Sequence, residues 1–212
     1  IYEEIITLHL KNRSLSQYFR DMFILYIDNA QDKREEIVFS IIYNKIKNAI
    51  KENKKVYISL KNKKELIKAN IYNIVPTKEG IYNYVLIVEN GVIFSLHLKD
   101  INNLIMLDEN NSFSKDEIEK LELTIFQNPA FAVNEIVDTK IKLTELGKKL
   151  FKLYIHDRPI PYKVEEDIYY FKGSLQHLVI YFFKFASEVK FLAPEKVKDF
   201  VKTLYLNAYN QY

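Results

Sequence analysis

Apolar positions recur at helical spacing at the start of this chain, and from about residue 53 they alternate instead. Ile5, Ile6, His9 and Leu10 already follow a helical rhythm, so the pattern predicts a helix that continues something upstream. A second helix is expected after Arg13-Ser14, with Leu15, Phe19, Met22, Phe23 and Tyr26 as its apolar stripe and Ser14 or Ser16 as cap. A third is expected from Lys33 to about Glu52. Its stripe would be Ile37, Ile41, Ile42, Ile46, Ala49 and Ile50, with Asp32 as N-cap.

The alternation then predicts five short strands. Val56, Ile58 and Leu60 alternate with Tyr57, Ser59 and Lys61. Leu66 to Val75 is a second strand closed by Pro76, and Lys78-Glu79-Gly80 is a turn. Tyr82 to Val88 and Val92 to Leu98 pair through an Asn90-Gly91 hairpin, and Ile101 to Leu107 is the fifth strand. Five such strands after helices predict a small SH3-like or Sm-like barrel.

Ser112 to about Ile125 is charged and reads as a connection with a short helical patch. Beyond it come a strand over Val133 to Leu143, a helix over Thr144 to Phe151 with Thr144 as N-cap, and strands over Pro161 to Val164 and Ile168 to Lys172 flanking Glu165-Glu166-Asp167. A strongly apolar helix capped by Ser174, a strand over Val189 to Leu192 and a helix opened by Pro194 complete the chain. The order β-α-β-β-α-β is the ferredoxin-like split arrangement. The expected class is therefore α+β, divided into a helical linker and dimerisation region (1–52), a barrel (53–110), a connection (111–132) and a ferredoxin-like unit (133–212).

Composition removes several function classes. At 212 residues, 48% hydrophobic and 28% charged, the chain can bury a sizeable core. Without cysteine it has no disulfide, no thiolate nucleophile and no Cys-ligated zinc. Its net charge of +3 is too small to predict nucleic-acid binding by the chain as a whole. No segment approaches the roughly 20 apolar residues of a membrane helix, and no signal peptide is visible, so a cytoplasmic protein without membrane partners is expected. Four scattered glycines make no phosphate-cradling loop, and no histidine pair has metal-ligand spacing. No enzyme activity, cofactor or metal is expected.

The order of elements resembles WYL-domain transcriptional regulators followed by their C-terminal WCX extension. The family's Trp-Tyr-Leu falls on Asn83, Tyr84 and Val85, and its Phe-Arg-Leu-Asp-Arg-Ile run on Leu96-His97-Leu98-Lys99-Asp100-Ile101, with His97 and Asp100 at the arginine positions. Pro76 is kept. In the extension, Gly173-Ser174-Leu175, Val189 to Pro194 and a last helix ending in Tyr209 or Tyr212 follow the family's order. The resemblance implies an upstream helix-turn-helix domain that binds DNA, a homodimer, and a barrel that senses an effector, in some members a nucleic acid or nucleotide.

Three clusters carry candidate chemistry. If Phe94, Leu96 and Leu98 face the core, then Ser95, His97 and Lys99 form an outward row suited to an anion; an ordinary solvated face would look the same. Tyr84 and Lys61 join that ligand-binding set, although a strand tyrosine also serves as packing. Between Lys45 and Lys68 stand nine lysines against two acids, Glu52 and Glu65, a segment that attracts phosphate or is simply a lysine-rich surface. His156-Asp157-Arg158 sits on a loop, without geometry for acid–base work. Ligand sensing therefore leads, with an interaction scaffold whose pocket has degenerated as the alternative.

Overall fold

The computed structural model describes residues 14–211, so the rhythm at Ile5 to Leu10 and the residue Tyr212 lie outside the described residues. The chain is mixed α+β, with seven helices and two antiparallel sheets among the described residues.

Helix α1 (Leu15–Asp28) starts where the sequence predicts, with Ser14 Oγ accepting from Gln17 N. The expected third helix is two: α2 (Gln31–Val38) and α3 (Ser40–Lys51), separated at Phe39. Phe39 leaves helical geometry at φ −103°, ψ 26°, and its ring packs on the first core. That break divides the anticipated stripe. Ile46 and Ala49 are buried, whereas Ile37 and Ile41 face solvent. Asp32 is not the N-cap; Ala30 holds that place, and Asp32 lies buried within the first turn. The α1 stripe differs more: the helix has no buried residue, and Phe23 and Leu25 are 65% and 68% exposed.

Strands β1 (Lys54–Leu60), β2 (Leu66–Pro76), β3 (Asn83–Glu89), β4 (Val92–His97) and β5 (Ile101–Asn110) form one sheet in the order β4-β3-β2-β1-β5. Asn90 and Gly91 both have positive φ (50° and 79°), as a type I′ hairpin requires, and they set the register Tyr84↔His97, Leu86↔Ser95 and Val88↔Ile93. The strand number and the β3–β4 hairpin follow the sequence reading, but the ladder does not close into a barrel: its edges β4 and β5 pair only inward.

Both faces of this sheet are covered, which explains the unbroken run Val85-Leu86-Ile87-Val88, every member of which is buried. Val85 and Ile87 meet Ile46 and Ala49 of α3. Leu86, Val88 and Ile93 meet Leu121 of α4 (Lys115–Gln127). Residues 112–125 are thus no mere connection; Ser114 and Glu117 form a capping box that starts a 13-residue helix.

The second unit runs β6 (Val137–Leu143), α5 (Glu145–Leu153), β7 (Lys163–Glu165), β8 (Ile168–Gly173), α6 (Leu175–Phe183), β9 (Val189–Ala193) and α7 (Glu195–Tyr209). Its sheet order β7-β8-β6-β9 is that of a split β-α-β, as the element order predicts. On β6 Val137, Thr139, Ile141 and Leu143 are buried while Asp138, Lys140 and Lys142 are exposed, so one face packs and the other is open. The packed face holds Phe171, Phe182, Phe185 and Phe191. The near-continuous apolarity of α6 is absorbed largely within the chain, with Ile180 and Phe183 remaining exposed.

Candidate functional site

A polar cluster lies where α2 meets the start of β3 and the end of β4. Hairpin register puts Tyr84 opposite His97, and their rings stack at 5.2 Å with a 20° tilt. Tyr82 meets the same imidazole edge-on at 4.6 Å. From α2, Glu35 approaches from the other side. Its Oε1 lies 2.8 Å from His97 Nε2, close enough for an ion pair but off the N–H direction a hydrogen bond needs. Its Oε2 accepts from Asn83 N (2.6 Å) and Asn83 Nδ2 (3.1 Å). Asn83 Nδ2 also donates to Asp32 O at 2.8 Å. The side chains of Glu35 and His97 are only 8% and 10% exposed. A carboxylate this buried needs several donors to offset desolvation, and β3 supplies two of them.

Beside the cluster opens a cleft of about 430 Å³, lined by Tyr26, Arg34, Glu35, Phe39 and Tyr82 among others. Two cations stand over rings that line it: Lys99 Nζ is 5.7 Å from the Tyr82 ring and Lys61 Nζ 5.0 Å from the Phe39 ring. Backbone pairing brings them near each other, since Lys61 N donates to Asp100 O at 2.9 Å. Arg34 Nε and Asp32 Oδ1 are buried without a hydrogen-bond partner, so polar capacity in this region is left unused. The Asp32 carboxylate also lies against Gly80, whose positive φ (62°) and missing Cβ let the β2–β3 turn approach α2.

The second unit reaches this region through the loop after α5. Asp157 N donates to Glu79 Oε1 at 3.2 Å, and Asp157 Oδ1 accepts from Asn128 Nδ2 at 2.8 Å. Burial, reinforced by the negative charge of Asp157, holds the Tyr84 hydroxyl above its ordinary pKa, so it stays a neutral phenol. His177, 2% exposed, stacks on Phe131 at 4.5 Å, and its Nε2 lies 2.6 Å from the Asp157 carbonyl. Desolvation pushes its pKa down despite that carbonyl, leaving a neutral imidazole with the proton on Nε2.

The five residues singled out from sequence fare differently. Tyr84 and His97 touch, and Lys99 and Lys61 flank the adjoining cleft. Lys99 is not on the strand but in the short 3₁₀ turn Leu98–Asp100. Ser95 shares the His97 side of β4, yet its hydroxyl is buried without a partner. The expected outward row is in fact a covered face, because α4 packs Leu121 against Ile93, two residues before Ser95. Phe94, expected in the core, is 39% exposed. Glu35, Arg34, Tyr82 and Asn83 were not legible as site residues. Glu35 and Arg34 belong to a charged helical run that reads as solvated, and only the polar Asn83 opening an apolar strand gave a signal.

The lysine run does not form one patch. Lys55 and Lys68 converge on Glu109 (3.4 and 2.5 Å), Lys45 donates to Asn103 and Lys54 to the Asp108 carbonyl. Glu79, His156 and Asp157 bring possible metal-ligand atoms within 4.8 Å of one another. Two of the three are already engaged, Asp157 by Asn128 and Glu79 by the Asp157 amide, and three adjacent donors of this kind are common on surfaces without an ion.

No family model matches the sequence, and no curated protein matches it. Among solved structures, the chain is similar to one described as the crystal structure of a CRISPR Cas-related protein. The two share 22% identity over 88% of this chain and 56% of that one, with a TM-score of 0.63. The chain thus spans little more than half of that structure's length, and likeness at this identity shows a shared fold alone. A second comparison, with proteasome accessory factor B/C (PafBC) of Arthrobacter aurescens, gives 14% identity over 80% of this chain and 27% of that one, at a TM-score of 0.33. Among the described residues no helix is long and apolar enough to cross a membrane.

Proposed function

We propose that the chain is the ligand-sensing and dimerisation portion of a cytoplasmic, DNA-binding transcriptional regulator of the WYL kind, with an anionic effector, a nucleic acid or nucleotide, as its signal. The observation that carries the reading is the cleft itself: aromatic rings and an arginine with an unpartnered Nε line about 430 Å³, and two lysines stand over two of those rings. Lysines bind phosphate as mobile point charges, and the planar Arg34 group adds directional donors. The five strands in the order β4-β3-β2-β1-β5 support an SH3/Sm-like arrangement for the sensing unit, and the second unit serves as the WCX-like extension.

The dimer would form through α1. Phe19, Met22, Phe23, Leu25 and Ile37 line an apolar groove of about 470 Å³ that the described residues do not fill. Phe23, Leu25 and Ile37 are each more than half exposed, an apolar surface that a second copy of the chain would cover. Because α2 also carries Glu35 and Arg34, an effector in the cleft touches the element next to the dimer helix. Its differential affinity for two α1 placements would move upstream DNA readers. No step here transforms the ligand, so no enzyme activity or cofactor is assigned.

An interaction scaffold with a lapsed pocket is the second reading, favoured by one feature: the Glu35 carboxylate lines the cleft and repels an anion. Titration separates the two. Nucleotides and short single-stranded oligonucleotides should bind at low salt, and H97A or K99A should weaken them by about 1–3 kcal/mol. Absence of binding at low salt leaves the scaffold.

A further inference from the structure

The open face of the second sheet carries a different set of groups. Its register places Lys140 between Tyr170 and Ala193, Asp138 beside Lys172, and Lys142 beside Lys190. On the far strand Lys163 pairs with Tyr170. Lys140 Nζ and Lys163 Nζ stand 5.4 and 5.2 Å from the Tyr170 ring. Tyr162, 54% exposed, lies 6.1 Å from Tyr170, and its hydroxyl donates to Asp138 Oδ1 at 2.9 Å. Tyr170 is tethered in the same way to Glu165 Oε2 at 2.6 Å.

Next to Tyr162 a depression of about 320 Å³ runs under the edge of α4, bounded by Phe126, Asp138, Tyr162 and Lys172. Phe126 is 53% exposed although it stands on a helix with a packed face, and Lys78 Nζ hovers 5.2 Å from its ring. Gln127, behind it, is fully occupied in holding β8 and the preceding loop: it donates to Ile160 O and Lys172 O and accepts from Ile160 N. The floor is therefore rigid while the aromatic rim is exposed.

We propose that this face binds single-stranded nucleic acid, with bases stacking on Tyr170, Tyr162 and Phe126 and phosphates held by Lys140, Lys163 and Lys172. Two tethered tyrosines, with Phe126 bounding the same depression as Tyr162, offer ring surface at little further loss of rotamer freedom, and every base has a π-face to give in return. The cations are all lysines, which suit a mobile backbone and carry no bidentate base readout, so binding is tolerant of sequence. Existing ion pairs do not block the exchange. Lys142–Asp167 (2.9 Å), Lys163–Glu165 (2.6 Å) and Lys172–Glu119 (3.1 Å) are solvent-exposed, and such pairs contribute little. The acids trim the attraction, and the phosphate contacts that the lysines do make render the affinity salt-dependent. This site is distinct from the cleft beside His97 and does not depend on it.

Fluorescence anisotropy with labelled oligo(dT) and oligo(U) about 12 nucleotides long, on the whole chain, tests the proposal. Binding is expected at low salt and should fall steeply as salt is added. Measured in an H97A/K99A background, which removes the share of binding due to the first cleft, Y162A/Y170A should weaken what remains at least tenfold and K140E severalfold, all with wild-type circular dichroism. The dT and U arms tell DNA from RNA, and either preference supports the site. Absence of binding at low salt, Y162A/Y170A binding as tightly as its H97A/K99A parent, or equal competition by duplex DNA would each overturn it. Loss of all binding in the H97A/K99A parent itself would place the ligand in the first cleft and sink this proposal while leaving the sensing function standing.

Discussion

Glu35 is the group on which the α2–β3 junction turns, and removing it gives the sharpest test of that geometry. E35A deletes the acceptor of the buried Asn83 N–H and one acceptor of its side-chain amide, and it leaves His97 Nε2 facing a void. Asn83 Nδ2 keeps Asp32 O, so its amide is only partly orphaned. A buried donor left unpaired costs about 1–3 kcal/mol, and the lost bonds are charge-assisted. Against this stands the relief of no longer burying a carboxylate. The balance is a destabilisation of about 3 kcal/mol for E35A and about 1 kcal/mol for E35Q, which retains an acceptor for Asn83. With a urea m-value of about 2 kcal/mol/M, E35A should lower the midpoint by about 1.5 M. The chain has no tryptophan, so far-UV circular dichroism is the appropriate readout. A second transition from the C-terminal unit would be fitted separately. An E35A midpoint within about 0.2 M of wild type at unchanged m, or E35Q as damaging as E35A, would refute the assignment of Glu35 as the acceptor that holds β3 to α2.

Two further outcomes follow from burial and exposure. The depressed pKa of His177 means that below its ordinary value of 6.5 the unfolded chain binds a proton the folded chain refuses. Stability should therefore fall as pH drops from about 6.5 toward the folded pKa, by at most about 1.4 kcal/mol per pH unit from this group, and H177Q should flatten that slope in urea melts; a slope unchanged in H177Q would assign the acid sensitivity elsewhere. On α1, F23E places a charge on the exposed apolar face without touching a buried residue, so light scattering should show a dimer turned to monomer with the melting curve preserved; a wild-type monomer at high concentration would remove α1 as the interface.

The legible part of the fold was local. Alternation gave β1 its place, since extended backbone turns successive side chains to opposite faces, and Val56 and Ile58 are buried where the pattern requires. Caps gave helix starts at Ser14 and Thr144, and Asn90-Gly91 gave a hairpin whose register then placed Tyr84 against His97. The misreadings arose where a segment's partner is distant in sequence. Leu121 looks like one apolar residue in a charged connection until Leu86, Val88 and Ile93 are seen opposite it. The break at Phe39 leaves no mark in a stripe that runs on through it.

The sequence by itself determined most of the helical and extended segments, their order along the chain, and the absence of thiol chemistry, because these depend on neighbours along the chain. Only the tertiary structure decided that Glu35 is buried, that Ser95 faces a covered surface rather than water, that lysines of the run are engaged by Glu109, Asn103 and the Asp108 carbonyl, and that α1 buries no residue among the described ones. The reason is that burial and charge environment are properties of what folds back from afar: the groups around Glu35 come from some fifty to sixty residues downstream, beyond the reach of any local pattern.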